Sequence, residues 1–214
     1  MTDRWYDGLF VAEGPSDLPL AGIVQDLFLE RGISVRLSQP DYSLIAEKVK
    51  KDITSRLLVG TRLMRSTPDL IVVHRDSDNV GVDKRREEIA QGAQCSGVES
   101  HVLPVIPVRM TEAWLLLDES AIREVAGNPR GKMDLDLPKP HEVESRSDPK
   151  KILADILLMA ADVTGRRRKD FERRFSNHRR QLLERLDPDG PIVRLRSWQA
   201  LIADIDATVT GWRG

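Results

Sequence analysis

The first half of the chain alternates short apolar runs with amphipathic segments. Gly8–Ala12 and Leu70–His74 are continuous, largely apolar runs of strand length, which is typical of buried strands in a parallel sheet. Weaker strands are predicted over residues 33–37 and within residues 98–108.

Helices are predicted between these strands. One begins at a cap formed by Ser16 and stops at Gly32, and a second carries the apolar residues of positions 44–57 on one face. A third, charged helix is predicted over residues 82–94. Strands that alternate with helices predict an α/β fold with a parallel sheet and right-handed crossovers.

The composition changes after Asp118. Residues 127–147 are rich in proline, glycine and charged residues, which predicts an irregular connection. Helices are then predicted over residues 149–161, 170–186 and 197–208. The expected organisation is therefore an α/β domain over residues 1–125 and a helical, arginine-rich C-terminal extension over residues 126–214 that packs on it.

The overall composition is that of an ordinary globular protein. Of 214 residues, 40% are apolar and 31% are charged, and the formal net charge is -1. A uniform attraction to nucleic acid is therefore not implied. The single cysteine, Cys95, excludes an internal disulfide, and the four histidines lack the spacing of a zinc site.

Nothing in the chain predicts a membrane or secretory protein. No apolar run approaches the roughly 18 to 20 residues that cross a bilayer. Residues 1–5 lack the basic region and apolar stretch of a signal peptide. We therefore expect a cytoplasmic protein without a membrane partner.

Acidic residues follow two of the predicted strands. Glu13 follows the first strand, and Asp76 and Asp78 follow the third. The carboxyl ends of parallel strands share one edge of a sheet, where ligands of such folds bind. Asp76 and Asp78 are two residues apart, so an extended backbone would point both side chains to the same side. Asp17, in the first turn of the next helix, can return to the same crevice.

Four clustered carboxylates repel one another unless a cation neutralises them. Hard oxygen ligands suit Mg²⁺ or Mn²⁺. Each residue also has an ordinary explanation, because Glu13 suits a turn, Asp17 complements a helix N-terminus, and Asp-Ser-Asp-Asn is common turn chemistry. Their combined placement after two apolar strands favours a metal site.

Two motifs resemble those of Toprim domains. Residues 11–17, Val-Ala-Glu-Gly-Pro-Ser-Asp, are similar to the first Toprim motif, and residues 71–78, Ile-Val-Val-His-Arg-Asp-Ser-Asp, to the second. The resemblance covers roughly residues 8–118. It implies a Toprim-like, Rossmannoid parallel sheet flanked by helices. It also implies phosphodiester chemistry in which Glu13, Asp76 and Asp78 bind metal and act in catalysis, with Asp17 assisting.

A closer likeness is to stand-alone Toprim-like proteins related to the overcoming-lysogenisation-defect nucleases. Such proteins often lie beside ATPases in phage-defence loci. The features that resemble them are residues 108–116, residues 148–151 and the arginine-rich tail. This resemblance implies Glu112 as a ligand for a second ion, while a capping role at the start of a short helix is an equal alternative.

Basic residues are concentrated between Thr164 and Arg180. Eight arginines and lysines stand there against Asp170 and Glu172, which gives +6 in a chain whose total is -1. Such a density of arginine suits phosphate contacts, although a solvated helix face is the alternative. The predicted nucleic-acid contacts are Lys150, Arg166, Arg167, Arg168, Lys169, Arg173 and Arg174.

The function that these features favour is a metal-dependent nuclease. It would cleave DNA or RNA with a water activated by Mg²⁺ or Mn²⁺, as the effector of an antiphage system with a separate ATPase partner. A homodimer is compatible with this role, although no heptad pattern supports one. The alternatives are a haloacid-dehalogenase-type phosphatase with Asp76 as nucleophile, and a non-catalytic Toprim-fold subunit that binds an ATPase or nucleic acid.

Overall fold

The computed structural model describes residues 5–46, 48–64 and 66–214. Four of the five N-terminal residues on which the signal-peptide expectation rests lie outside this part of the chain. Within the described ranges, no helix is both long enough and apolar enough to cross a membrane.

A four-stranded parallel sheet forms the centre of the α/β part. Its strands are β1 (Trp5–Val11), β2 (Ser34–Ser38), β3 (Leu70–His74) and β4 (His101–Val105), in the order β2-β1-β3-β4. All neighbouring strands are parallel. The predicted α/β class with a parallel sheet flanked by helices is therefore confirmed, and each predicted strand is present.

Ten α-helices are assigned in the described residues. They are α1 (Leu20–Glu30), α2 (Ile53–Leu63), α3 (Val82–Ser96), α4 (Glu112–Leu115), α5 (Glu119–Val125), α6 (Pro140–Val143), α7 (Pro149–Ala161), α8 (Gly165–Glu172), α9 (Phe175–Glu184) and α10 (Arg196–Arg213). Single 3₁₀ turns cover Pro15–Asp17, Tyr42–Leu44 and Pro191–Arg194.

The central strands β1 and β3 are held by a core on the face that α2 and α3 cover. Alternate residues of each strand point to this face, as the two-residue period of a strand requires. The core cluster consists of Leu9, Val11, Ile53, Leu57, Ile71, Val73, Ile89 and Ile106. β3 is buried along its whole length, and it pairs with β1 in a register that runs from Gly8–Leu70 to Val11–Val73.

Two helix starts differ from the prediction. The helix expected from Leu44 begins only at Ile53, where the Asp52 side chain accepts a hydrogen bond from the Ser55 amide at 2.8 Å. Leu44 is exposed at the end of a 3₁₀ turn. Ser16 does not cap α1 either, because it lies inside the turn Pro15–Asp17 and α1 starts at Leu20.

The chain divides into two compact units. One, the sheet unit, holds the residues up to Ile106 together with Ala200–Gly214, and the other, the helical unit, is Pro107–Gln199. This division differs from the sequence-based boundary after residue 125. The reason is that α4 and α5 pack on α7 and α9, and the last turns of α10 pack near β1, where Trp212 stacks on Tyr6 at 4.0 Å.

Candidate acidic site at the ends of β1 and β3

The strand register brings Glu13 and Asp76 together. Val11 pairs with Val73, so the residues that follow β1 and β3 leave the sheet side by side. The Asp76 amide donates a hydrogen bond to Glu13 Oε2 at 3.1 Å. The two acidic residues are 63 positions apart in the sequence, and the shared edge of a parallel sheet joins them.

Asp17 and Asp76 flank the buried imidazole of His74. The Nδ1 atom of His74 lies 3.8 Å from Asp17 Oδ2, and its Nε2 atom lies 3.4 Å from Asp76 Oδ1. Asp17 is itself buried, and its Oδ2 accepts a hydrogen bond from the Gly14 amide at 3.2 Å. His74 therefore links the two carboxylates from the end of β3.

The charge of His74 is controlled by these neighbours. Burial by itself would lower the pKa of the imidazole. The hydrogen bond to Asp76 and the nearby negative charges outweigh burial, so the pKa of His74 is raised above its ordinary value of 6.5. The sequence favours a buried strand-end residue at position 74, which the structure has, but the bridging role was missed. The two-residue spacing to Asp76 could have indicated it, because such residues share one side of an extended backbone.

The Asp78 carboxylate is paired with an arginine seven positions later in the sequence. A turn follows Ser77, and Asp78 adopts a φ of 46°, so the backbone is not extended through residues 76–78. The extended backbone on which the predicted common direction of Asp76 and Asp78 rests is therefore absent here. The Asp78 carboxylate instead accepts a hydrogen bond from Arg85 Nη2 at 2.9 Å.

Two guanidinium groups lie among the carboxylates. Arg85 also donates from Nε to the Asp76 carbonyl at 2.9 Å and from Nη1 to Glu88 Oε2 at 2.6 Å. Arg75 lies 3.1 Å from Glu88 Oε1 and 3.9 Å from Glu13 Oε1. The sequence analysis expects a metal ion to neutralise the repulsion among the clustered carboxylates. These two arginines already offset part of that repulsion.

Arg56 fixes the backbone that carries Glu13. From α2, its Nη1 atom donates to the carbonyl groups of Ala12 and Glu13, the latter at 3.1 Å. Tyr42 donates its hydroxyl to the Arg56 carbonyl at 3.1 Å, and the guanidinium lies 5.7 Å from the centre of the tyrosine ring. Burial raises the pKa of Tyr42 to about 12, so this hydroxyl remains a donor at neutral pH.

The donor set of the site suits a hard cation with few protein ligands. In the described ranges, no group of three or more His, Cys, Asp or Glu side chains has the arrangement of a metal centre. Glu13 and Asp76 bring two carboxylate side chains to the ends of neighbouring strands, where the Asp76 amide contacts the Glu13 carboxylate. Mg²⁺ in phosphate chemistry is commonly held by one or two carboxylates, with water and phosphate oxygens completing its shell. The pair fits that type of site and not an all-protein cage.

Glu112 lies in the helical unit. It occupies the first turn of α4, where its buried carboxylate accepts a hydrogen bond from Arg179 Nε at 2.8 Å. Both side chains are almost fully buried, with 5% and 6% of their surfaces exposed. A buried carboxylate requires such a partner, so the ion pair with Arg179 explains how the charge of Glu112 is tolerated in the interior of this unit.

The predicted nucleic-acid contacts also lie in the helical unit. Arg166, Arg167, Arg168 and Lys169 form the exposed surface of α8, and Lys150 is exposed in the first turn of α7. Arg173 and Arg174, between α8 and α9, are exposed as well. Some of this charge is paired locally, since Arg168 binds Glu172 at 3.0 Å and Arg173 binds Asp170.

Chemically, the two features are an acidic pair at a sheet edge and an arginine-rich helical surface. The first can hold a hard cation, and the second can contact phosphate groups. No known family model, curated protein or solved structure matches this chain.

Proposed function

We propose that this protein is a metal-dependent nuclease that hydrolyses phosphodiester bonds of DNA or RNA at the acidic site. The observation that supports the proposal is the hydrogen bond of 3.1 Å that joins Glu13 to the Asp76 amide at the ends of adjacent parallel strands. The same two residues belong to the motifs that resemble Toprim domains, and a Toprim-like fold is part of the proposal.

In this proposal, Glu13 and Asp76 hold Mg²⁺ or Mn²⁺, and Asp17 contributes through His74. The ion would supply an activated water and stabilise charge on the departing oxygen. His74 orients the Asp76 carboxylate from Nε2, and Asp17 holds the opposite side of the ring. Asp78 is a further ligand in the proposal, and its use requires release from Arg85.

The substrate class follows from the charge of the helical unit. Exposed arginines on α8 favour a polyanion over a small neutral substrate. An oligonucleotide presents the repeated phosphates that such a surface can contact. The proposal extends to an antiphage effector with a separate ATPase partner, on the strength of the sequence resemblance alone.

Cleavage by purified variants tests the nuclease proposal. With Mg²⁺ or Mn²⁺, the wild-type protein should cleave plasmid DNA or structured RNA, and Asp76→Ala and Glu13→Ala should each lower the rate by at least about a hundredfold. Asp83→Ala is the matched control, because Asp83 is an exposed acidic residue in the first turn of α3. Undiminished cleavage by Asp76→Ala would refute the assignment.

One observation favours a second candidate, a non-catalytic subunit that binds nucleic acid or an ATPase. Arg75 and Arg85 already neutralise part of the acidic site, and Asp78 is paired with Arg85. This candidate predicts that the wild-type protein binds an oligonucleotide yet cleaves neither DNA nor RNA with any divalent ion. The phosphatase alternative would require a covalent phosphate on Asp76, which trapping with a phosphate mimic detects.

A further inference from the structure

Among the residues that the structure describes, Arg75 forms fewer hydrogen bonds at the acidic site than Arg85 does. It follows β3 directly, between His74 and Asp76, and 18% of its side-chain surface is exposed. Its Nε atom is buried and has no hydrogen-bond partner among the described residues. In the described part of the chain, its terminal nitrogens form ion pairs, at 3.1 Å to Glu88 and at 3.9 Å to Glu13.

Arg85, by contrast, donates a hydrogen bond from each of its three guanidinium nitrogens. Its Nε, Nη1 and Nη2 atoms donate to the Asp76 carbonyl, Glu88 and Asp78, at 2.9, 2.6 and 2.9 Å. Glu88 therefore contacts both arginines, one with each carboxylate oxygen. The arrangement leaves Arg85 as an anchor of the turn after β3, while Arg75 keeps donors available next to Glu13.

A buried N–H group without an acceptor is uncommon in a folded protein, and an acceptor supplied by a ligand is one explanation for it. A guanidinium presents five donors in a planar fork, which matches the oxygens of a phosphate group. A positively charged side chain such as Arg75 is also needed here, because Glu13 and Asp76 by themselves would repel an incoming phosphate.

We propose that Arg75 binds the non-bridging oxygens of a substrate phosphodiester beside the Glu13–Asp76 pair, while Glu88 holds its guanidinium in position. This inference rests on the proposed nuclease function, since it names a substrate contact of the same site. Arg75 then has a binding role that the acidic ligands do not share, and its loss should weaken substrate binding without weakening metal binding.

The test compares Arg75→Lys and Arg75→Gln with wild type and with Arg36→Lys, which alters an exposed, ion-paired arginine on β2. The first readout is the affinity for a fluorescein-labelled oligonucleotide in Ca²⁺, and the second is kcat/KM for cleavage in Mg²⁺. We expect Arg75→Gln to lower oligonucleotide affinity and kcat/KM by about 10- to 100-fold, with a smaller loss for Arg75→Lys. Mn²⁺ affinity should not fall in either variant, because no carboxylate ligand is lost and Arg75→Gln removes a positive charge that lies beside Glu13.

The outcomes separate this inference from the nuclease proposal. If wild type cleaves and the Arg75 variants bind and cleave within about twofold of wild type, the phosphate role of Arg75 is wrong while the nuclease proposal stands. If wild type does not cleave, the nuclease proposal fails, and the oligonucleotide affinities measured in Ca²⁺ alone decide the role of Arg75. Should circular dichroism show that Arg75→Gln is unfolded, the result for Arg75→Lys decides the role of Arg75. Lysine keeps the positive charge but lacks the planar array of donors that a guanidinium presents to a phosphate.

Discussion

Glu13 is held at two points by residues from other elements. Its carboxylate accepts a hydrogen bond from the Asp76 amide, and its backbone carbonyl accepts one from Arg56 on α2. A ligand that is fixed on both sides loses little freedom when it binds a cation or substrate, which is the condition for effective positioning.

The role of Arg56 can be tested at the residue scale. We expect Arg56→Ala to lower kcat of metal-dependent cleavage by about tenfold or more, because the end of β1 loses the donor that holds the Ala12 and Glu13 carbonyls. Steady-state kinetics measures the effect. Arg62→Ala is the control, since Arg62 is exposed on the same helix.

A kcat of Arg56→Ala equal to that of Arg62→Ala would contradict this role. Raised Mn²⁺ concentration should partly restore the Arg56→Ala rate, because the mutation displaces Glu13 and does not remove it.

The proximity of Glu13 and Asp76 could be inferred from the sequence, and their surroundings could not. Both residues follow apolar strands, and parallel strands end at one edge, so local pattern and topology suffice. Arg75, Arg85 and Glu88 carry no comparable signal. Their positions depend on how the side chains of α3 meet the turn after β3, and no periodicity along the chain encodes that contact.

At the scale of elements, the prediction succeeded where the pattern of apolar residues fitted a single type of secondary structure. The bounds of β3 match the apolar run Leu70–His74. All five of its residues are buried, and a continuous apolar run of this length is typical of a buried strand. It failed over residues 44–46 and 48–52, where apolar residues at helical spacing precede a helix that begins only after the cap at Asp52. It also joined α8 and α9 into one helix, although Arg173 and Arg174 separate them.

The end of α10 gives a pH-dependent test at this scale. His101 on β4 lies 2.9 Å from the Thr208 hydroxyl through its Nε2 atom. Burial lowers the pKa of His101, and the charge of Asp204 offsets only part of this effect. Because the folded pKa is below the unfolded value, His101 favours the folded state above about pH 6.5, and this contribution is lost as the pH falls through the folded pKa.

We therefore expect the free energy of unfolding to fall less steeply between pH 7 and pH 5 in His101→Gln than in wild type. Glutamine can keep a hydrogen bond to Thr208 and does not titrate. Urea unfolding at a series of pH values measures the difference. If the free energies of unfolding of the two proteins change with pH in parallel, the titration of His101 does not contribute to the pH dependence of stability.

At the scale of the whole molecule, the net charge conceals a strong segregation. Residues 164–180 carry eight basic and two acidic side chains, while the whole chain has a net charge of -1. The structure removes one of the eight from the surface, since Arg179 is buried against Glu112. The exposed remainder on and around α8 is the surface on which a polyanion would be attracted.

Salt dependence tests whether this surface binds nucleic acid. We expect a triple variant, Arg166→Gln, Arg167→Gln and Lys169→Gln, to weaken oligonucleotide binding and to reduce the slope of log K against log salt by about 2 to 3 for duplex DNA. Fluorescence anisotropy at several salt concentrations gives both values. The matched control changes the exposed Lys48, Lys50 and Lys51 to glutamine. Equal slopes in the two triple variants would assign no phosphate contacts to α8.

The central claim is that two strand-end carboxylates hold one divalent ion, and calorimetric titration with Mn²⁺ tests it most directly. The proteins to compare are wild type, Glu13→Gln, Asp76→Asn and the control Asp83→Asn. We expect wild type and Asp83→Asn to bind Mn²⁺ equally, and each of the other two variants to bind at least about tenfold more weakly. Mn²⁺ affinities of Glu13→Gln and Asp76→Asn that equal the control would contradict the claim.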